Sequence, residues 1–249
     1  MIWGVTGKLG GGKSWFSVRT MAARIAKGGI VVTNIELDAH AIADHYGLPV
    51  EYVEDRIKLV DPDDEVSSDP WTWPIGDRRG RGSRRVLVVI DEAGEWFAAA
   101  ESRKSQGAWR SWLRQSDKRG QDVFLIVQHE SILARQGRVL CHRWFSLMDM
   151  SKWKIPKLGI GLPWPWNEQF KVIEYDYNGR DILDRYWLPR DRVVFGFYDT
   201  SALFGSSALM DRGKSAYDDV STELNKDRGF AGWIIAGVWI CAVMFIRFF

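Results

Sequence analysis

The sequence predicts an α/β fold built on a central parallel sheet, followed by a small β-rich segment and a single apolar C-terminal helix. Three observations predict it. An apolar run, Ile2-Trp3-Gly4-Val5, leads into the glycine-rich stretch Gly7-Lys8-Leu9-Gly10-Gly11-Gly12-Lys13-Ser14, after which Trp15, Phe16, Val18, Met21, Ala22 and Ile25 recur at helical spacing. Farther along, Val86-Leu87-Val88-Val89-Ile90 and Val123-Phe124-Leu125-Ile126-Val127 are continuously apolar, as strands buried on both faces are. Near the end, Gly229 to Ile246 carries no charged side chain.

A chain of 249 residues has room for one sizeable α/β domain and something smaller. The net charge of +2 neither demands nor excludes a nucleic-acid partner. Cys141 and Cys241 lie far apart and make neither a disulfide framework nor a metal-binding spacing, which suits a reducing cytosol. Tryptophan is abundant, with 14 residues, many of them between Trp144 and Trp187. A strand that begins at the second residue leaves no room for a cleavable signal peptide.

The glycine-rich stretch fits G-x-x-x-x-G-K-[ST], and its setting between a strand and a helix turns the pattern into a phosphate site. The backbone of Gly7, Lys8, Gly10, Gly11 and Gly12 wraps so that successive N–H groups face a phosphate, and the helix start adds positive potential. Lys13 then reaches the β- and γ-phosphates of ATP, and the Ser14 hydroxyl ligates Mg²⁺.

In chain order, Ile30 to Ile35 reads as a second strand, Asp38 to Tyr46 as a short helix and Ile57 to Val60 as a third strand. Residues 61–85 are a loop by composition, ending in the arginine cluster Arg78, Arg79, Arg81, Arg84 and Arg85. That cluster either tracks a phosphate backbone or balances the acidic stretch before it. The apolar strand that follows ends in Asp91-Glu92, a Walker B pattern. Asp91 is placed to hold the Mg²⁺ shell opposite Ser14, and Glu92 to polarise the attacking water as general base. Glu95 to Lys118 reads as one or two helices with a basic face. The next strand ends in Gln128-His129, and Gln128 is the candidate sensor of the γ-phosphate. Ser131 to Gln136 reads as a short helix and Arg143 to Met150 as a strand; Arg135, Arg138 and Arg143 are candidate arginine fingers for a neighbouring subunit.

These elements divide the chain into a P-loop ATPase domain (1–150), a β-rich appendage packed on it (151–205), a polar linker (206–228) and a transmembrane helix (229–247). Within the appendage, Phe170 to Tyr177 alternates in polarity before Asn178-Gly179, a hairpin signal, and Ile182 to Leu188 returns. Val193 to Thr200 reads as one more strand. The aromatic residues of this region read as packing rather than as stacking platforms for bases. At about 1.5 Å per residue, the apolar tail spans a hydrocarbon core of about 30 Å. Lys226 and Arg228 before it place the ATPase domain in the cytoplasm.

The combination of the N-terminal loop Gly7 to Ser14, the strand Val88-Val89-Ile90-Asp91-Glu92, Ile126-Val127-Gln128-His129, Phe195 to Ser201 and a late single span resembles the Zot-like (zonula occludens toxin-like) assembly ATPases of filamentous phages, the gene I protein family. The resemblance covers nearly all of the chain. It implies a RecA-like P-loop NTPase of the additional-strand class, related to the FtsK and HerA translocases, anchored in the host inner membrane by a single pass. It further implies a homo-oligomeric ring, a hexamer being one candidate, that hydrolyses ATP to export phage single-stranded DNA while coat protein assembles on it. Family members continue into a periplasmic domain, whereas here Arg247-Phe248-Phe249 follows the span. Lys8 gives a second reading. A lysine directly after the first loop glycine resembles the MinD and ParA ATPases, membrane-bound nucleotide switches that recruit partners without translocation, although Leu9 stands where that pattern has a glycine.

Overall fold

The computed structural model describes residues 1–61, 64–96, 103–133, 135–154, 161–162, 166–176 and 181–198. Eight strands form one sheet: β1 (Ile2–Gly7), β2 (Val31–Thr33), β3 (Ile57–Leu59), β4 (Val86–Ile90), β5 (Gln121–Ile126), β6 (Arg143–Asp149), β7 (Gln169–Asp176) and β8 (Ile182–Pro189). Their spatial order is β3-β2-β4-β5-β1-β6-β7-β8. The six strands from β3 to β6 run parallel, and β7 and β8 are antiparallel. Strand β5 therefore stands between the strand that feeds the glycine loop and the strand that ends in Asp91. That insertion is the additional-strand arrangement.

Strand β4 shows why a continuous apolar run is needed. Leu87 and Val89 point into a core shared with Val5, Phe124, Ile126 and the buried face of helix α1 (Lys13–Ala26). Val86, Val88 and Ile90 point the other way, into a core with Val123, Leu125, Trp112 and Trp73. Both faces are covered, so the strand has no polar side to show. In the centre of the sheet Gly4 pairs with Trp144 of β6, and a Cβ at Gly4 would lie 2.1 Å from the indole. The glycine makes room for a tryptophan that is wholly buried.

The smaller elements depend on local hydrogen bonds. Asp38 caps α2 (Ala39–Tyr46) by accepting the Ala41 N–H at 2.9 Å, and Gly47 closes it in the left-handed region. Helix α3 (Val50–Glu54) follows. Inside the expected loop 61–85 a short helix, α4 (Glu65–Ser68), is capped by Asp64, and the buried Trp73 pins the segment by donating to the Ser67 carbonyl at 2.8 Å. On the other side of β4 come α5 (Ala93–Trp96) and α6 (Arg103–Gln115), the latter anchored by Trp112 and Leu113. The helix expected over 131–136 is a 3₁₀ turn, Glu130–Ile132, followed by α7 (Arg135–Leu140).

Three sequence expectations change. The strand read into 193–200 is a 3₁₀ helix, Val193–Phe197. Asp191 accepts the Val193 N–H at 3.0 Å, a local bond that starts a turn, and Val194 and Phe197 then pack into the α1 core rather than joining a sheet edge. The segment set apart as an appendage enters the main sheet directly, because β7 pairs with β6 from Arg143↔Asp176 to Asp149↔Phe170. Of the five clustered arginines, Arg85 is buried and structural. Its Nε donates to Asp122 at 2.9 Å and one Nη to Asp117 at 2.8 Å, while Arg24 approaches Asp122 at 3.4 Å. The Asn178-Gly179 turn, the 206–228 linker and the 229–247 span lie outside the described residues. Among the described residues no helix is long and apolar enough to cross a membrane.

Asp122 is buried between two guanidinium groups, so its removal leaves Arg85 charged and short of a partner. Asp122→Ala should lower stability by about 3 kcal/mol, read as a shift of the urea midpoint at unchanged slope. A midpoint within experimental error of the parent would show that Asp117 alone satisfies Arg85.

Candidate nucleotide site

All the strands from β3 to β6 deliver their C-terminal ends to one edge of the sheet, where open α/β sheets bind ligands. The loop from Gly7 to Gly12 leaves β1 at this edge and turns into α1. Gly12 occupies the position before the helix with φ 95°, in the left-handed region, and a Cβ there would lie 2.4 Å from the Phe170 ring of β7. Both constraints require glycine. Helix α1 has no capping side chain and no acid in its first turn. Its free N–H groups and the positive end of its dipole are therefore left for an anion.

Lys13 is buried, and its ammonium donates to the carbonyls of Gly7 at 3.1 Å and Lys8 at 3.5 Å. Burial lowers its pKa from the usual lysine value, while the charges of Asp91 and Glu92 pull it back up. The Gly11 N–H closes the loop onto the Lys8 carbonyl at 2.8 Å. Lys8 thus contributes its backbone to the loop, and its side chain is exposed. Lys152, beyond β6, donates to the Gly10 carbonyl at 3.1 Å and adds a second cation to the loop.

Ser14, on α1, donates to Oδ2 of Asp91, the residue after β4, at 3.1 Å. Burial raises the Asp91 pKa above the ordinary carboxylate value, with the Glu92 N–H and the Ser14 hydroxyl opposing the shift. Two oxygens at this separation fit adjacent corners of an octahedral Mg²⁺ shell, whose bonds of about 2.1 Å set neighbouring ligands about 3 Å apart. Among the described residues there is no cluster of three or more His, Cys, Asp or Glu. A carboxylate and a hydroxyl so placed fit a Mg²⁺ ion that takes its remaining ligands from substrate phosphates and water.

Glu92 follows with φ 47°, a left-handed conformation otherwise confined to glycines among the described residues. Its N–H donates to Asp91 Oδ1 at 2.8 Å. Gln128, two residues past the end of β5, donates through Nε2 to Glu92 Oε1 at 3.3 Å. The residues singled out in the sequence as metal ligand, base and sensor thus lie in one run of contacts, Ser14–Asp91–Glu92–Gln128. His129 turns back on itself, bonding Ser131 at 2.7 Å.

Two contributors escaped the sequence reading. Asn34, just past β2, donates to the Asp91 carbonyl at 3.0 Å and accepts the Asp91 N–H at 2.7 Å, clamping the strand end. The signal for it is positional: β2 neighbours β4, and Asn34 is the first polar amide after the β2 run. Tyr198, next to the 3₁₀ helix, has its phenol pushed up to about 12 by burial, with the Asp91 charge adding to the shift. The three candidate finger arginines do not converge on this chain's own loop contacts. Arg143 begins β6, at the opposite edge of the sheet, and pairs with Glu174 at 2.5 Å. Arg135 is exposed on α7, and Arg138 keeps a buried Nε without a hydrogen-bond partner.

Comparison with known proteins places the chain. The family profile described as zonular occludens toxin (Zot) matches residues 1–202. The chain belongs to the Zot family. Within it, similarity extends to the gene 1 protein of Enterobacteria phage I2-2, 29% identical over 215 residues, covering 82% of this chain and 58% of that protein. The gene 1 protein of Salmonella phage IKe is 28% identical over the same length and coverage. The chain therefore spans less than two thirds of these relatives. Among solved structures, the N-terminal domain of zonular occludens toxin from Neisseria meningitidis aligns at a TM-score of 0.47 with 18% identity, over 80% of this chain and 98% of that one.

Gly12→Ala should weaken nucleotide binding by about tenfold or more, because the added methyl meets both the left-handed penalty and the Phe170 ring. A titration with a fluorescent ATP analogue measures it. Parent-like affinity would mean that the helix start is not where phosphate binds.

Proposed function

We propose that this chain is a membrane-anchored ATPase motor that hydrolyses ATP to drive filamentous phage assembly and the export of single-stranded DNA through the host inner membrane. The observation that carries this reading is the contact run Ser14–Asp91–Glu92–Gln128 beside a glycine loop whose helix start is left uncapped. Membership of the Zot family and the similarity to phage gene 1 proteins support the biological setting.

The chemistry follows from the residues. The N–H groups of Gly10 to Ser14 receive the phosphates, and Lys13 exchanges its two carbonyl acceptors for phosphate oxygens. Ser14 and Asp91 would hold Mg²⁺, which when bound neutralises charge on the β- and γ-phosphates. Glu92 takes the proton of the attacking water, and Gln128, bonded to the same carboxylate, orients it and registers whether the γ-phosphate is present. Asn34 keeps Asp91 in place from the neighbouring strand. Residues 229–247 form the single-pass anchor, which leaves the ATPase domain in the cytoplasm. Subunits assemble into a homo-oligomeric ring in which Arg135, Arg138 or Arg143 of one copy completes the site of the next. Coat proteins and single-stranded DNA are the partners on which the ring acts.

Glu92→Gln removes the base while keeping the hydrogen bond with Gln128. ATP binding should persist and turnover should fall by about 10²–10⁴-fold, measured as phosphate release. Undiminished hydrolysis would take Glu92 out of the mechanism. The motor reading also expects single-stranded DNA to raise the ATPase rate of the full chain. A rate indifferent to DNA, with no ring in a nonhydrolysable analogue, favours the partner-recruiting switch that Lys8 suggested.

A further inference from the structure

The side of the sheet that faces away from α1 carries a tryptophan-lined groove next to the phosphate loop. Met148 of β6, Lys171 of β7 and Trp187 of β8 are direct neighbours across the three strands. Beyond β6 the 3₁₀ turns Met150–Lys152 and Trp166–Glu168 bring Trp153 and Trp166 beside them, around a cavity of about 390 Å³. That volume is in the range of small-ligand sites. The core tryptophans Trp15, Trp73, Trp112 and Trp144 are no more than 1% exposed, whereas Trp153, Trp166 and Trp187 keep 37%, 44% and 47% of their surface in water. These three are therefore not core residues in the way that Trp144 is.

Charge distinguishes the groove from a plain apolar patch. Lys171 Nζ stands 5.7 Å from the centre of the Trp187 ring, Lys152 and Lys154 flank Trp153, and Arg185 lies two residues from Trp187 on the same side of β8. No acidic residue occupies this side of β6–β8 at the paired positions Ser146, Met148, Lys171, Ile173, Tyr175, Arg185 and Trp187. Glu174 and Asp184 point to the α1 side. Glu130, whose charge acts on Tyr175, is felt at the end of β7 away from the groove. Glu168, in the turn that carries Trp166, is paired with Arg192, and half-exposed indoles interleaved with cations match a ligand that alternates flat apolar rings with single negative charges.

We propose that this groove binds single-stranded nucleic acid, with Trp153, Trp166 and Trp187 stacking on bases and Lys154, Lys171 and Arg185 meeting phosphates. Sequence-tolerant stacking on tryptophan and electrostatic tracking of the backbone are the two means by which proteins hold single strands without reading them. The base of the ATP held at the loop is a poorer occupant, because the phosphates lead into α1 and the groove opens on the opposite side of the sheet. The hydrogen bond from Lys152 to Gly10 ties the groove's edge to the phosphate loop, so that strand binding and nucleotide binding share a boundary. This inference rests on the proposed role in moving single-stranded DNA, but its test requires no turnover.

The test titrates the full chain in mild detergent, without nucleotide, against a labelled oligothymidylate, reading anisotropy and tryptophan fluorescence. Binding should quench the tryptophans. Trp166→Ala and Trp187→Ala should each weaken it by about tenfold, and Lys171→Gln should reduce the salt dependence by about one ion. Basal ATPase rate and thermal midpoint should stay at parent values in all three variants. Unchanged affinity in the Trp166→Ala/Trp187→Ala double variant overturns the proposal. So does loss of self-association or of vesicle binding in place of DNA affinity, or competition for the quench by an ATP analogue. Turnover lost in Glu92→Gln with DNA binding intact reports on the nucleotide site alone, so the two readings fail separately.

Discussion

The 3.1 Å contact between Ser14 and Asp91 is the constraint on which the rest of the structure depends. One residue lies in the first turn of α1 after β1, the other follows β4, and β5 lies between their strands. For the two oxygens to meet, both strands must end at the same level and α1 must sit close over the sheet. That requires β4 and β5 to be apolar on both faces, with Leu87 and Val89 under α1 and Val88 and Ile90 under Trp73 and Trp112. Core packing and site geometry are thus one requirement. Asn34 shows how little latitude is left, since its amide fixes both the N–H and the carbonyl of Asp91.

The inserted strand is also what brings Gln128 to Glu92. Because β5 stands beside β4, the second residue past its end lies next to the second residue past the end of β4. Gln128 and Glu92 meet for that reason, and only because Glu92 adopts φ 47°. A left-handed glutamate costs on the order of 1–2 kcal/mol, offset in part by its N–H bond to Asp91. Such strained residues cluster at functional sites, and this one also carries a pairing across strands.

Much of this was legible in the sequence where periodicity and motif spoke together. The glycine loop, the two apolar strands and the acidic pair after β4 gave the central strands and the position of the site. What was not legible depended on contacts distant in sequence. The run 193–197 has the composition of a strand, but Asp191 starts a turn before it and Val194 and Phe197 pack into the α1 core. Arg85 looked like its four neighbours, yet Asp122, far along the chain, draws it inside. Trp144 and Trp187 share one face of the sheet, yet Trp144 on β6 is covered by the core around Trp112 while Trp187 on the outer strand β8 stays half in water, a difference fixed only once the strand order is known.

The pairing of β7 with β6 does more than lengthen the sheet. It sets Phe170 against Gly12, with the Trp15 ring 4.6 Å beyond it and the Arg190 guanidinium 5.1 Å from its centre. Arg190 is in turn ion-paired to Asp149 at the end of β6. The phosphate loop is therefore not a free-standing turn that glycine leaves loose. It is a turn braced from one side, and the brace is mounted on the paired strands β7 and β8 at the rim of the sheet.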